Sequence, residues 1–491
     1  MSTNRVQSKV SAPDSGAAAS TTHASETTEV APRRVHVVTF GCQMNKYDSL
    51  LAEGRFRRAG YATTDRMEDA DVVLFNTCSV RDHAEERAYS WVGELKRVKA
   101  ERPDIVVGVL GCMAQRVGEE IFARAGHVDL VAGTRQFASL PALVGDVLAA
   151  RNAGLRARVV ALGMDDDLSV DRAGEPWDGG AHAWLTVMRG CDLNCTYCIV
   201  PSVRGRVLSY PIEQLVREAR GYVEQGVRAI TLLGQTVNSY GEDAPAPAAG
   251  DRSWSGRQGR PGLADLLREL QQIDGLARIR MITAHPSYVT PALAEAIRDC
   301  DKVERFLPLP AQSGSDAVLR AMKRGYTVDL YRRRMEMLRA RVPDIELGTD
   351  WIVGFPGETD ADFDASEAFL TEQAFVVNYV FKYSPRPGTG AAERLLDDIP
   401  EEVKKERNQR LLRAAERAGL QRHSAHVGAT RRVLVDGVSD RGEGVVLGRS
   451  EHGLAVSLKG GAELLGRVVD VRIESASAYV LTGTLAQSDP I

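Results

Sequence analysis

Residues 188–198 read Met188-Arg189-Gly190-Cys191-Asp192-Leu193-Asn194-Cys195-Thr196-Tyr197-Cys198. Three of the seven cysteines of the chain lie in this short run. A structural zinc site usually takes four protein ligands, so three thiolates fit it poorly. A cubane iron–sulfur cluster on three thiolates fits better, because its fourth iron stays open to a small molecule. The alternatives are a shared zinc site and thiols that only fill the core.

The bulk properties of the chain indicate a globular protein of several domains. Its 491 residues are 44% apolar and 26% charged, and this length predicts about two to four domains. The longest apolar runs are strand-sized, so no membrane association is expected. An odd number of widely spaced cysteines argues against a disulfide framework and predicts a cytoplasmic location.

Residues 34 to about 150 alternate apolar runs with amphipathic segments, the pattern of parallel β/α units. The first three runs end at cysteines, namely Cys42, Cys78 and Cys112. Ligands bind beyond the carboxyl ends of parallel strands, so these thiolates are predicted to meet at one edge. The sequence therefore predicts a second three-thiolate cluster. The alternative is three unrelated buried cysteines.

A second β/α series begins near residue 183, and a different pattern begins near residue 425. Six apolar runs alternate with helical segments in the second series and predict an incomplete (β/α)6 barrel. They lie near residues 183–189, 227–234, 277–284, 303–310, 345–353 and 375–383. Short alternating strands punctuated by Gly follow and predict a small β-barrel.

The predicted fold class is therefore α/β, with an open parallel sheet, a partial barrel and a small terminal β-barrel. The amino-terminal residues are rich in Ser, Thr and Ala, contain few large apolar groups and lack a secretory signal pattern. The predicted divisions are a disordered tail at 1–33, the amino-terminal domain at 34–152, a linker at 153–180, the barrel at 181–415 and the terminal domain at 420–488.

These motifs together resemble the methylthiotransferase family of radical S-adenosylmethionine (SAM) enzymes over about residues 34–488. The resemblance rests on Gly41-Cys42-Gln43-Met44-Asn45, Asn76-Thr77-Cys78-Ser79-Val80-Arg81, Gly111-Cys112-Met113-Ala114-Gln115-Arg116 and the run at 188–198. It implies two [4Fe-4S] clusters, one on Cys42, Cys78 and Cys112 and one on Cys191, Cys195 and Cys198. It implies SAM contacts from Tyr197, Gln235, Asn238 and Ser313, and no catalytic residue beyond the cluster ligands.

The same resemblance implies an activity and a set of partners. The implied reaction adds a methylthio group to C2 of N6-dimethylallyladenosine at position 37 of tRNA, using two SAM molecules and both clusters. The terminal domain resembles a TRAM domain, a small RNA-binding barrel. The implied partners are the tRNA anticodon stem-loop, an electron donor such as flavodoxin or ferredoxin, and a sulfur or cluster donor.

Two other functions remain open at this point. The first is methylthiolation of threonylcarbamoyladenosine in tRNA or of an aspartate on a ribosomal protein. The second is an RNA-binding iron–sulfur redox sensor without catalysis. Residues 404–432 hold nine Lys or Arg against two Glu, which predicts either a solvated helix face or a surface that tracks tRNA phosphates.

Overall fold

A computed structural model describes residues 31–79, 82–156, 158–164, 172, 177, 179–246, 248, 254–439 and 444–486, with backbone alone for 82–84. Residues 1–30, where most of the predicted tail falls, lie outside this set. Within it, Arg33–Ile491 belongs to one compact unit.

The amino-terminal part forms a parallel sheet, as its alternating apolar runs predict. The strands are β1 (Arg34–Thr39), β2 (Ala62–Thr63), β3 (Val72–Thr77), β4 (Val106–Leu110), β5 (Leu130–Ala132) and β6 (Val159–Ala161), in the order β2-β1-β3-β4-β5-β6. The helices are α1 (Gln43–Arg58), α2 (Asp82–Glu101), α3 (Gly111–Val117), α4 (Ile121–Arg124) and α5 (Leu140–Asn152). Apolar clusters lie on both faces of the sheet, as in doubly wound folds.

The range 153–180, predicted as a linker, contributes structure to both neighbouring parts. Strand β6 pairs with β5 in parallel, from Leu130 opposite Val159 to Ala132 opposite Ala161. Arg172 is buried and pairs with Glu218 at 3.1 Å. A strand of three residues is too short to show an alternating pattern, so the sequence gives no sign of it.

The central part is a partial barrel whose strands and helices alternate. Its strands are β7 (His182–Thr186), β8 (Met188–Arg189), β9 (Leu208–Ser209), β10 (Ala229–Leu233), β11 (Arg278–Met281), β12 (Phe306–Pro308), β13 (Glu346–Val353) and β14 (Val377–Lys382). Its helices are α6 (Val200–Arg204), α7 (Ile212–Glu224), α8 (Leu263–Gln271), α9 (Pro291–Asp299), α10 (Asp316–Ala321), α11 (Val328–Arg341), α12 (Asp360–Gln373), α13 (Gly390–Arg394) and α14 (Glu401–Ser424).

Two three-stranded parallel sheets make up the barrel wall. Their orders are β11-β10-β7 and β12-β13-β14, and a parallel bridge between Ile279 and Val303 connects them. The short strands β8 and β9 pair with each other in antiparallel fashion. One continuous apolar core packs the outer helices onto the wall, so the predicted six-stranded partial barrel is confirmed.

The carboxyl-terminal part is a closed five-stranded barrel. Its strands are β15 (Thr430–Val438), β16 (Val445–Ser450), β17 (Ala455–Lys459), β18 (Val468–Ala476) and β19 (Leu481–Leu485), in the order β15-β16-β17-β19-β18. Helix α14 leads into it and continues to Ser424, across the predicted boundary between the barrel and the terminal domain. Throughout the described ranges, every helix is too short or too polar to cross a bilayer.

Candidate iron–sulfur site

Cys42, Cys78 and Cys112 meet at the carboxyl edge of the amino-terminal sheet, as the spacing predicts. Strands β1, β3 and β4 are neighbours, and each of these cysteines follows its strand within three residues. Cys112 is buried, and burial raises the pKa of its thiol to about 11. Cys78 and Cys42 both lie close enough to raise that pKa further. The sheet topology therefore brings three distant thiols to one place.

Glycines before the cysteines allow the close approach of the backbone. Gly41 has a φ of +118°, and a Cβ on it would lie 2.5 Å from Cβ of Cys78. Gly190 has a φ of +74°, and a Cβ on it would lie 1.9 Å from the carbonyl oxygen of Arg206. Both positions need a residue without a side chain, which explains the Gly-Cys pairs.

A buried network of amides lies directly under the first trio. Nδ2 of Asn45 donates to Oδ1 of Asn76 at 3.0 Å and to the carbonyl of Thr77 at 2.9 Å. Nδ2 of Asn76 donates to the carbonyl of Asn45 at 2.7 Å and to Oγ of Ser49 at 2.9 Å. These bonds connect β3 to the first turns of α1, and thus fix Cys78 relative to Cys42.

Cys191, Cys195 and Cys198 form the second trio, on the loop that follows β8. The backbone N–H of Cys198 donates to the carbonyl of Cys195 at 3.0 Å. Sγ of Cys191 lies 3.6 Å from Oγ1 of Thr236. Burial raises the pKa of Cys191, and it raises the pKa of Cys198 to about 12. Metal binding at either trio must therefore displace thiol protons.

Arg324 holds the second trio in place, although its sequence context gave no indication of this. Its Nη1 donates to Sγ of Cys195 at 3.2 Å and to the hydroxyl of Tyr197 at 3.3 Å. Its Nε donates to the hydroxyl of Tyr326 at 3.2 Å. The guanidinium is buried, so it places a positive charge beside a thiol without competition from water.

The segment that follows the second trio packs against Cys112 of the first. Cys112 packs with Ile199 and Val203, which follow directly after Cys198. Helix α3, which carries Cys112, therefore lies against α6. Arg204 at the end of α6 is buried; burial opposes its charge, but Cys112 and Asp48 hold its pKa above the usual range. The first trio thus receives a positive charge from the segment that carries the second.

Asp48 on α1 ties this interface together. Its carboxylate pairs with Nη2 of Arg189 at 3.1 Å and with Nη2 of Arg204 at 3.0 Å. All three side chains are buried. The two arginines flank the second trio in sequence, so one carboxylate of the amino-terminal domain orients the loop of the barrel.

The four predicted SAM contacts differ in whether their polar side-chain atoms already have hydrogen-bond partners within the protein. Oε1 of Gln235 is buried with no hydrogen-bond partner within the described ranges. Tyr197 packs against the apolar cluster around Phe355. The amide of Asn238 is occupied by backbone bonds to and from His285, both 2.9 Å. The hydroxyl of Ser313 lies 3.2 Å from that of Ser366 and accepts from the N–H of Ser315.

The donor sets fit a cluster better than a single ion. Within the part of the chain that the structure describes, no group of three or more His, Cys, Asp or Glu side chains is arranged to hold one metal ion. A cubane attaches each of its thiolates to a different iron, so its ligands need not converge on one point. Cys42 and Cys112 also lie at helix amino-termini, and Arg204 and Arg324 place positive charge beside the trios, which offsets part of the negative charge of a thiolate-bound cluster.

Three family models match successive parts of the chain. Residues 34–133 match the uncharacterized protein family UPF0004, residues 185–370 match the radical SAM superfamily, and residues 425–486 match the TRAM domain. These ranges contain the first cysteine trio, the second trio and the closed terminal barrel, respectively.

Full-length relatives decide the family. The tRNA-2-methylthio-N(6)-dimethylallyladenosine synthase of Rhodopirellula baltica is 39% identical over 470 residues, covering 92% of this chain and 95% of the relative. The enzyme of the same name from Acetivibrio thermocellus is 40% identical, covering 91% and 90%. This chain belongs to the methylthiotransferase family of radical SAM enzymes, of the MiaB type. It is therefore an enzyme that uses SAM and iron–sulfur clusters.

Solved structures share the fold at low sequence identity. The radical SAM methyltransferase TsrM of Kitasatospora setae, with tryptophan and a SAM analogue bound, is 16% identical with a TM-score of 0.54. The alignment covers 73% of this chain and 75% of that chain. The cobalamin-dependent radical SAM enzyme OxsB is 12% identical with a TM-score of 0.52, covering 76% and 56%. Both confirm the predicted α/β architecture.

Most of the basic stretch 404–432 is occupied by contacts within the protein, so only part of it is open to phosphates. Six of its nine basic residues are held in ion pairs within the protein: Lys404, Arg407, Arg410, Arg417, Arg422 and Arg431. Their acidic partners are mainly on α12 and the barrel strands, far away in sequence. A charge count along one segment therefore overstated the charge available for RNA.

Proposed function

We propose that this chain transfers a methylthio group to C2 of N6-dimethylallyladenosine in tRNA, at position 37 beside the anticodon. The observation that carries the proposal is the packing of Cys112 against Ile199 and Val203. It makes the two cysteine trios neighbours, as a reaction that needs a sulfur-bearing group and a radical at the same base requires. The printed names of the full-length relatives support the choice of substrate.

The ligand assignment is part of this proposal. Cys42, Cys78 and Cys112 hold an auxiliary [4Fe-4S] cluster, and Cys191, Cys195 and Cys198 hold the radical SAM [4Fe-4S] cluster. When bound, the clusters and SAM supply the methylthio group and a 5′-deoxyadenosyl radical. Tyr197 and Gln235 contact SAM, because the amide of Gln235 retains an unused acceptor. Contacts of Asn238 and Ser313 with SAM stay predictions. Both side chains also make hydrogen bonds within the loops at the strand ends.

Anaerobic incubation of the reconstituted enzyme with SAM, a reductant and an anticodon stem-loop RNA tests the proposal. The RNA carries N6-dimethylallyladenosine at the position beside the anticodon. Mass spectrometry should find one methylthio group in place of one hydrogen on that base, together with 5′-deoxyadenosine. An enzyme that modifies only threonylcarbamoyladenosine or a ribosomal protein leaves this RNA unchanged, and a redox sensor forms no 5′-deoxyadenosine.

Replacing Arg324 with Gln is expected to make the radical SAM cluster harder to reduce. The change removes a charge-assisted hydrogen bond to Cys195, worth about 1.5 kcal/mol. The bond favours the more negative, reduced cluster, and a preference of that size for the reduced state corresponds to a midpoint potential ~60 mV more negative for one electron in the variant. A redox titration followed by electron paramagnetic resonance measures the shift. Arg333→Gln, on the exposed side of α11, is the control, and equal potentials in both variants would refute the role of Arg324.

Replacing Arg432 or Arg472 with Gln is expected to weaken the salt dependence of tRNA binding. Both are exposed on the adjacent strands β15 and β18 of the TRAM domain. Each lost phosphate contact reduces the slope of log affinity against log salt by about 0.7–0.9. Arg410→Gln is the matched control, because Asp364 and Glu367 already neutralise Arg410. If Arg410→Gln reduced the slope of log affinity against log salt more than Arg432→Gln or Arg472→Gln does, α14 rather than the TRAM domain would be the RNA contact.

The remaining partners follow from the chemistry. Reductive cleavage of SAM needs one electron at low potential, so we propose an electron donor such as flavodoxin or ferredoxin. The sulfur that leaves on the product must be replaced, so a sulfur or cluster donor is also proposed. We also propose a cytoplasmic location, since the substrate is tRNA.

A further inference from the structure

The inner face of the barrel wall carries two large aromatic side chains that the protein leaves uncovered. Asp350 of β13 pairs with Tyr379 of β14, and Ile352 pairs with Phe381. Their neighbour Trp351 is fully buried on the opposite face of the wall, in the core formed with the outer helices. Tyr379 is 59% exposed and Phe381 is 53% exposed on the inner face.

An aromatic pair of this size exposed on a concave wall indicates a ligand rather than a gap in packing. Elsewhere in the barrel, the large aromatic residues Trp351, Phe363 and Phe369 are buried and pack edge to face or against cations. Tyr379 and Phe381 lie on a central part of β14, where the outer face is well covered by α14. One face of β14 is thus covered by protein, whereas the other face presents an apolar surface that a ligand can contact.

A carboxylate lies beside this aromatic pair without a protein partner. Within the described part of the chain, no hydrogen bond or ion pair reaches the side chain of Asp350. Burial raises its pKa to about 6, and Arg324 pulls the pKa down only in part. Asp350 is only partly buried, so its carboxylate reaches the open face, where a ligand with a donor group can bind it.

This face lies next to the apolar cluster that contacts the second cysteine trio. Ile352 and Tyr197 pack against the same apolar cluster, and Tyr197 lies between two cysteines of the second trio. The chain leaving β14 then reaches Arg386, where burial lowers the pKa of the guanidinium and the nearby Cys78 offsets only part of that shift. A base bound on this face would therefore lie beside the second trio, and the chain that follows β14 leads toward the first.

We infer that Asp350, Ile352, Tyr379 and Phe381 form the face that binds the prenylated adenine of the tRNA. Tyr379 and Phe381 contact the base and its dimethylallyl group. Asp350 accepts a hydrogen bond from N6, because an N6-alkylated adenine retains a single N–H donor there. This inference rests on the proposed function and names the residues that recognise its substrate.

Binding of three stem-loop RNAs to the reconstituted full-length enzyme tests the inference. The base beside the anticodon is adenosine, N6-dimethylallyladenosine, or the same prenylated base with a methyl group in place of the N6 hydrogen. Fluorescence anisotropy should show that the wild type prefers the prenylated RNA over the unmodified RNA by about tenfold, the range for contacts between aromatic residues and a base. The affinity of the wild type for the prenylated RNA should also fall about tenfold when a methyl group replaces the N6 hydrogen.

Two variants separate the roles of the side chains. Phe381→Ala should bring the prenylated and unmodified RNAs to within about twofold of each other. Asp350→Ala should bind the prenylated RNAs with and without the N6 hydrogen equally well. Tyr479→Ala, an aromatic side chain 68% exposed on the terminal barrel, should keep both wild-type ratios. The affinity for unmodified RNA and the iron content show that each variant is folded.

The outcomes separate this inference from the proposed function. If Phe381→Ala keeps the wild-type preference, or if Asp350→Ala still loses affinity with the methylated base, the inference is wrong while the function stands. If the wild type neither prefers the prenylated RNA nor modifies it, the proposed function itself is wrong.

Discussion

Replacing Cys191, Cys195 and Cys198 together with Ala is expected to abolish the formation of 5′-deoxyadenosine. The variant should retain about four iron atoms per chain instead of about eight, because each cubane contains four. The triple variant of Cys42, Cys78 and Cys112 should also retain about four, but it should still cleave SAM. It should produce no methylthiolated RNA. Iron and sulfide analysis, with product analysis by mass spectrometry, measures these outcomes.

The difference between the two triple variants follows from where the trios lie. The second trio alone lies on a barrel loop beside Gln235 and Tyr197, whereas the first lies on a separate sheet. Cys300→Ala is the matched control, because this buried thiol lies at the end of α9 and belongs to neither trio. It should keep the full iron content. If either triple variant kept the wild-type iron content, the assignment of six ligands would be wrong.

Replacing Asp48 with Ala is expected to destabilise the protein by about 3–5 kcal/mol, the usual cost of removing one partner from a buried ion pair. The change leaves Arg189 and Arg204 buried with no carboxylate between them. Both arginines also lose the contact that fixes the second trio against the first. Urea unfolding of the reconstituted protein measures the change in stability. Product formation relative to 5′-deoxyadenosine measures the loss of alignment.

Asp364→Ala is the control for Asp48. Its carboxylate pairs with Arg410 at 2.8 Å, but it is 58% exposed, so its loss should cost no more than about 1 kcal/mol. A similar small effect for both variants would mean that the Asp48 pairs do not hold the domain interface. A large effect on stability without any change in the product ratio would limit Asp48 to a structural role.

Much of the fold could be read from local pattern. The helical segments predicted between the barrel strands are present, for example α9 and α11, because apolar periodicity and a Thr before each helix are properties of a short window. Strand β6 was missed because three residues are too few to show a period. The boundary between the barrel and the terminal domain fell inside α14 for a related reason, since a long charged helix shows no break in composition.

The two cysteine trios could be predicted from the sequence, because ligand spacing and strand-end position are local and parallel strands bring their ends together. Which charged side chains lie beside the trios depends on the tertiary structure. Arg324 reaches Cys195 from 129 residues away, and Arg204 reaches Asp48 from 156 residues away. Asp350 and Tyr379 likewise lie side by side only because β13 and β14 pair. A buried charge or an open aromatic face is defined by its distant neighbours, and no local window of sequence contains them.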